Sequence, residues 1–323
     1  MDLTILIPSF KREIQFRNIL KYYSNLNFKG KLIIGEGSNK STFNKKKKFL
    51  KNYQNIDIKY FYAPGFVFQT VKSISKHIET SNVVFSGDDD YLVPKNINKL
   101  IKFLEVNKTY SGVFGDAYVF EIVKNYMFGQ HKYHLLANKK INSFKRINFH
   151  LSKNYTVNIF AIQKKNNFLK MLNYCVDKRS EFKCPERAFS EEYLPTTMLS
   201  ALGKYAYIKN YYLIRTVGHQ RIQQKIKFDS HEDKISINYL YNSLKKEVVK
   251  KNHKNLKKII YDFFYNQNFV RNKKILKILI DKILNLIKNY SPIIASLIYE
   301  IKYLNNPYRN YVKKNILKLT NND

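Results

Sequence analysis

The feature that most constrains this chain is a four-fold alternation within residues 1–105. Four short apolar runs each stop at a turn signal, and a helical or polar stretch follows each one. Residues 3–7 stop at Pro8-Ser9, residues 32–34 at Gly35-Glu36-Gly37, and residues 56–62 at Ala63-Pro64-Gly65. Residues 83–85 run into Gly87-Asp88-Asp89-Asp90. Short apolar runs closed by Gly, Pro and Asp read as strands. Phe16, Ile19, Leu20 and Tyr23 recur at helical spacing, and residues 68–78 continue the pattern. Pro94 opens a further helix, in the first turn where its missing N–H costs nothing. Such alternation implies an α/β fold with a mostly parallel sheet and helices on both faces. Ligands of such sheets bind at the C-terminal ends of the strands. The polar residues at those ends are Ser9 and Arg12, Glu36, and the Asp88, Asp89, Asp90 cluster.

The later sequence is less regular. Residues 111–121 read as a bent strand or a strand pair, and residues 132–136, 157–162 and 205–214 as strands. Residues 166–175 and 190–202 read as helices, the second capped by Gly203. From residue 236 onward only helical patterns occur, including an amphipathic one over residues 275–288. The expected division is an α/β domain over residues 1–225 and a basic helical region over residues 226–323, with no internal repeat.

Composition narrows the classes. The net charge is +34 with a pI of 9.9. The excess is spread over both parts: net +22 in residues 1–225 and +12 in residues 226–323. Lys exceeds Arg, and Asn, Ile, Tyr and Phe are abundant, as A/T-rich codons produce. The charge therefore reads either as a solvated lysine surface or as attraction to an anionic partner. The run Lys45 to Lys48 reads as a solvated helix face. No stretch approaches the ~20 apolar residues of a membrane span. The opening residues carry no basic, cleavable leader. Cys175 and Cys184, with eight positions between them, match no zinc or redox spacing and read as reduced thiols. A cytoplasmic protein is expected.

Three adjacent carboxylates after an apolar strand repel one another. They either close an acidic turn before the Pro94 helix or hold a divalent cation, Mg²⁺ or Mn²⁺, that relieves the repulsion. Glu36 between two glycines reads either as a glycine turn or as a carboxylate accepting paired hydrogen bonds from a ribose or base. Neither a GxGxxG after the first strand nor a GxxxxGK[ST] occurs, which argues against dinucleotide dehydrogenases and P-loop enzymes.

LTILIPSFKRE, IIGEGSN, VVFSGDDDYLVP and, about a hundred residues on, SEEYLPTTMLSALGKYAYI are similar in order and spacing to the motifs of family 2 glycosyltransferases of GT-A fold, in a bacterial, non-processive subgroup with three consecutive Asp. The resemblance covers residues 1–220. It departs from the pattern at Gly35, where the family has Asp, so the base contact falls to Glu36. Lys72 stands where an Arg is usual, and Glu191-Glu192 replaces an E-D pair. The QxxRW motif of processive synthases is absent.

The resemblance implies a nucleotide-diphosphate sugar bound by Pro8, Ser9, Arg12, Glu36, Lys72, Asp88, Asp89 and Arg215. It implies a divalent metal on Asp88 and Asp90, with His219 as a further ligand. The expected base is Glu192, with Glu191 and Asp116 as alternatives. The implied reaction is one-step, inverting displacement onto a hydroxyl of a glycan or lipid-linked acceptor in surface-polysaccharide assembly. The basic C-terminal helices either pack on the catalytic part or dock on an anionic membrane. Competing expectations are a nucleic-acid-binding module, suggested by charge and aromatic content but by no motif, and a sugar-nucleotide pyrophosphorylase. The latter would want a glycine-rich loop where residues 8–12 have none.

Overall fold

The computed structural model describes residues 1–123, 126–133, 135–152, 154–176, 189–217, 231–266 and 307–320, with isolated positions between 291 and 299. Strand β1 (Thr4–Ser9) leads into helix α1 (Glu13–Asn25), β2 (Lys31–Glu36) into α2 (Lys40–Lys47), and β3 (Asp57–Tyr62) into α3 (Val67–Ser75). Strand β4 (Asn82–Phe85) turns into a short β5 (Asp90–Leu92) and then α4 (Pro94–Val106). The second half holds β6 (Tyr110–Val123), β7 (Tyr126–Tyr133), α5 (Ser143–Leu151), β8 (Ile162–Lys164), α6 (Lys165–Val176), α7 (Leu194–Leu202) and β9 (Lys204–Val217). Helices α8 (His231–Lys245), α9 (His253–Tyr261) and α10 (Pro307–Val312) follow.

The strands form one sheet in the order β3-β2-β1-β4-β8-β6-β9-β5, with β7 paired to β6. β1 lies parallel between β2 and β4, and β3 extends β2 in parallel. β6 and β9 are also parallel, whereas β8, β7 and β5 join antiparallel. A strand flanked on both sides and covered on both faces must be apolar throughout rather than alternating. Leu3, Ile5, Leu6 and Ile7 are all fully buried, as that requires. β3, at the edge, keeps Asp57 and Tyr62 exposed. Helix α1 buries Phe16, Ile19, Leu20, Tyr22 and Tyr23. Each such side chain removed from water contributes ~1.5–3 kcal/mol. Tyr22 also donates to the Leu92 carbonyl at 2.8 Å, tying α1 to β5.

The second half departs from the expected elements where side chains override periodicity. Of residues 157–162, Asn158–Phe160 form a 3₁₀ turn and Ile162 begins β8. Asn158 is held out of strand pairing by its bond to Ser200 Oγ at 2.9 Å. The strand expected at 132–136 starts earlier and ends at Tyr133. Residues 111–121 lie in one long strand whose pairing with β9 slips on both sides of Asp116. The expected helix over 190–202 is a π-type turn, Phe189–Tyr193, continued by α7. Gly203 ends α7 in extended backbone at φ −176°, not in the left-handed region. Its glycine is demanded by contact: a Cβ there would lie 1.6 Å from Ser111 Oγ and 2.2 Å from Ser111 Cβ.

The chain returns to the α/β sheet near its end. Tyr308 donates to the carbonyls of Asp116 (3.3 Å) and Asn210 (3.2 Å), and Tyr311 shares a 2.7 Å hydrogen bond with Tyr22. The expected amphipathic helix over 275–288 and most of the expected boundary near 225 lie outside the described residues.

Candidate active site

Three strand ends converge. After β4 the chain makes a turn at Gly87, Asp88 and Asp89, and Asp90 starts β5. The Asp88 and Asp90 side chains are almost completely buried, at 4% and 2% exposure, and Asp89 is 28% exposed. Ser9, the last residue of β1, donates to Asp88 Oδ2 at 3.0 Å. Arg12, at the entry to α1, forks across the turn, with one nitrogen 2.7 Å from Asp88 Oδ1 and the other 2.7 Å from Asp89 Oδ2. Such a fork is geometry that a lysine cannot supply.

Arg215 takes Asp90. The two residues face each other directly across the antiparallel β5–β9 pair, and Arg215 Nε lies 3.0 Å from Asp90 Oδ1. The guanidinium lies over Phe160 and Tyr133, at 4.2 and 4.9 Å from the ring centroids. The strand expected over residues 205–214 stops one residue short of Arg215. Arg215 lies within β9 instead, because that strand runs on to Val217.

Burial pushes Asp88 up to about 7 against the opposing pull of Arg12. Burial likewise raises Asp90, with Arg215 opposing. Three carboxylates thus share two guanidiniums, Arg12 spanning Asp88 and Asp89 and Arg215 taking Asp90. Carboxylate oxygens are the hard donors that Mg²⁺ or Mn²⁺ take, but here those of Asp88 are engaged by Ser9 and Arg12 and those of Asp90 by Arg215 and the Gly87 N–H. The implied third ligand, His219, lies outside the described residues. Among the described residues no group of three or more His, Cys, Asp or Glu side chains is placed to hold a metal ion.

Behind this turn sits a pair that sequence reasoning missed. Lys46, in the middle of the four-lysine run, is fully buried, and so is Glu36. Its Nζ lies 2.6 Å from Glu36 Oε2 and 2.9 Å from Ser9 Oγ. This corrects the reading of the run as a solvated face: Lys45, Lys47 and Lys48 are exposed, but Lys46 points inward. Period alone offered one signal, since Phe43 and Lys46 are three apart on the face of α2 that turns to the sheet.

Glu36 is also revised. Tyr60 donates to its Oε2 at 3.3 Å, while the Ser38 hydroxyl, the Ser38 N–H and the Lys11 N–H share Oε1. Fully buried and bonded on both oxygens, the carboxylate does not present itself to a ribose or base. Lys11, which supplies one of those N–H groups, sits in the left-handed region at φ 60°. The backbone between β1 and α1 is thus bent around Glu36 at some local cost.

The remaining predicted residues lie on other elements. Pro8 pairs with Gly35 within the β1–β2 ladder. Lys72, on α3, bonds to Asn173 of α6. Glu191 and Glu192 occupy the π-type turn before α7, where the Tyr155 hydroxyl donates to Glu192 Oε1 at 3.2 Å. Asp116, inside β6 and 9% exposed, accepts from the Tyr207 hydroxyl at 2.7 Å. Cys175 is buried, with its thiol pushed up by desolvation, as expected of an inert reduced cysteine.

No protein-family model matches the sequence, and no curated protein matches it. Solved structures do. Staphylococcus aureus TarS aligns over 99% of this chain at 14% identity with a TM-score of 0.52. The chain spans about half, 54%, of the length of that structure. A 1–349 fragment of TarS in complex with UDP-GlcNAc aligns over 99% of this chain and 89% of its own at 13% identity, TM-score 0.47. The mannosyltransferase PcManGT from Pyrobaculum calidifontis, in complex with GDP-Man and Mn²⁺, aligns over 99% and 85% at 9% identity, TM-score 0.45. At such identities the likeness speaks for architecture: the chain has an α/β fold of GT-A type, shared with TarS.

Proposed function

We propose that this chain is a glycosyltransferase that moves a sugar from a nucleoside-diphosphate sugar to a hydroxyl group of a glycan or lipid-linked acceptor. The observation that carries this reading is the convergence of Ser9, Arg12 and the Asp88–Asp89–Asp90 turn at the C-terminal ends of β1 and β4. This is the edge where a sheet of this topology receives its ligand. The structural neighbours in complex with UDP-GlcNAc and GDP-Man point the same way.

Arg12 is 43% exposed and uses only two of its five N–H donors on the acidic turn, which leaves others for a diphosphate. Asp88 and Asp90 would hold a divalent ion, with His219 as a further ligand, and the ion would neutralise the departing diphosphate. On the acceptor side a carboxylate takes the proton of the attacking hydroxyl. Glu192, oriented by Tyr155, is assigned that role, with Glu191 and Asp116 as alternatives. One displacement with one base inverts the anomeric centre. The assignment to bacterial surface-polysaccharide assembly rests on the resemblance of the motifs. No helix among the described residues is long and apolar enough to cross a membrane. The lysines of α9 and the overall charge suit peripheral contact with an anionic bilayer, and liposome flotation that requires anionic lipid and weakens with salt is the expected result.

The test is a thermal-shift panel of nucleoside diphosphates and their sugars, with and without Mn²⁺, on the wild type and Asp89→Asn. A ligand at 100 times its Kd adds ~2.7 kcal/mol of stability. A metal-dependent shift with one nucleotide, reduced in the variant, is expected. Protection by oligonucleotides in place of nucleotides would overturn the reading.

A further inference from the structure

Lys46 has no place in the mechanism above, yet its bonds impose an order on the site. An ammonium donates and never accepts. Lys46 Nζ donates to Glu36 Oε2 and to Ser9 Oγ, at 2.6 and 2.9 Å. The Ser9 oxygen therefore accepts on that side, and its single O–H is directed at Asp88 Oδ2, 3.0 Å away. The other Asp88 oxygen takes Arg12 at 2.7 Å. A lysine on α2 thus sets the direction of a hydroxyl at the end of β1, and that hydroxyl sets the rotamer of a carboxylate after β4. Glu36, at the end of β2, closes the set. The ammonium also lies 5.2 Å from the centroid of the Phe16 ring, which covers it from α1. No water-exposed surface remains on either member of the Lys46–Glu36 pair.

A cation this deeply buried is a poor source of stability, because desolvation offsets most of its attraction to the carboxylate. A simple anchor between α2 and the sheet could be made with apolar side chains. What apolar side chains cannot do is donate to Ser9. We propose that Lys46 is a positioning residue for donor binding, acting through Ser9 on Asp88, and that Glu36 is its counter-ion rather than a contact to the nucleotide. This rests on the nucleotide-sugar reading above.

The test removes both charges together, so that neither is left buried alone. Lys46→Met with Glu36→Gln keeps the volume and the bonds that Oε1 accepts from Ser38 and the Lys11 N–H. Binding of UDP and GDP is measured by titration calorimetry with Mn²⁺ present, and Mn²⁺ alone by electron paramagnetic resonance. The expected result is a loss of affinity of tenfold or more at a nearly unchanged melting temperature. Ser9→Ala, which preserves the ion pair, should lose as much. The triple variant should bind no more weakly than either, because both changes break one relay. An anchor without the positioning role would leave affinity intact once the variant has folded. Wild-type affinity in the paired variant, wild-type affinity in Ser9→Ala, or losses that multiply in the triple variant would each overturn the inference. A wild-type protein that binds neither nucleotide is a different failure: it removes the nucleotide-sugar reading, and this inference with it. Acetylation by an amine-reactive ester checks the geometry directly. Lys45, Lys47 and Lys48 should label while Lys46 resists, and labelling of Lys46 at their rate would contradict the relay.

Discussion

The two halves of the sheet handle buried polarity in opposite ways. In the first, the strand ends carry charges, and each is answered by a charge: Lys46 by Glu36, Arg12 by Asp88 and Asp89, and Arg215, reaching over from β9, by Asp90. In the second, between β6 and α7, buried polar groups have no opposite charge beside them: the Arg146 guanidinium is spent on the carbonyls of Ile141, Ser200 and Ala201, and His150 is walled in by rings. His150 is fully buried, neither of its ring nitrogens has a hydrogen-bond partner among the described residues, and it packs 5.0 Å from the Tyr155 ring. Tyr155 in turn packs on Tyr193 and on Phe263, beyond α9, at 5.4 and 5.5 Å. The lesson is that the first half should be sensitive to deleting single charges and the second to acid and to changes of volume.

The largest effect that sharpens this contrast is expected for Lys46→Met alone. Stranding Glu36 without its partner should cost about 3–5 kcal/mol in urea unfolding. Lys45→Ala next door, which removes an exposed pair with Glu13, should cost no more than about 1 kcal/mol. Equal costs for the two neighbours would break the comparison.

In the second half, Gly203→Ala should cost about 1–3 kcal/mol by overpacking, since the Ser111 Cβ cannot rotate away. Thermal melts that show no loss would mean that the α7–β9 corner relaxes freely.

Acid separates the halves next. Burial holds His150 down to about 3, whereas an unfolded chain protonates it near 6.5. The unfolded state therefore takes up the proton first. The stability contributed by the neutral ring is complete above pH 6.5 and declines as pH falls from 6.5 toward 3. The decline is ~1.4 kcal/mol per unit well below 6.5. Between pH 6.5 and 5 the difference in urea-unfolding free energy between His150→Leu and the wild type should move in favour of the variant, because only the wild type loses this contribution, and parallel curves would assign the acid sensitivity elsewhere. The smallest effect is expected at Lys11. Replacement by Gly relieves the left-handed backbone at φ 60° and should gain no more than about 1 kcal/mol.

The amino-acid sequence by itself determined the architecture of the first half. Four apolar runs, each stopped by Pro, Gly or Asp and separated by helical spacing, admit few arrangements, and the observed β1–β4 lie where those runs do. It also placed Ser9, Arg12 and the acidic turn at a common edge, because in parallel strands the C-terminal ends share one side. It could not decide which side chain answers which. Lys46 reads like its three neighbours until α2 is docked against the sheet. Glu36 reads as a ligand contact until Lys46, Tyr60 and Ser38 are seen to fill it. Arg215 falls just past the expected strand until β9 extends far enough to set it across from Asp90. Nor could period-counting find the 3₁₀ turn at Asn158 or the register slips around Asp116. Periodicity reports which face of an element is buried. Which buried charge meets which depends on elements ten to more than a hundred residues apart, and only tertiary packing brings those together.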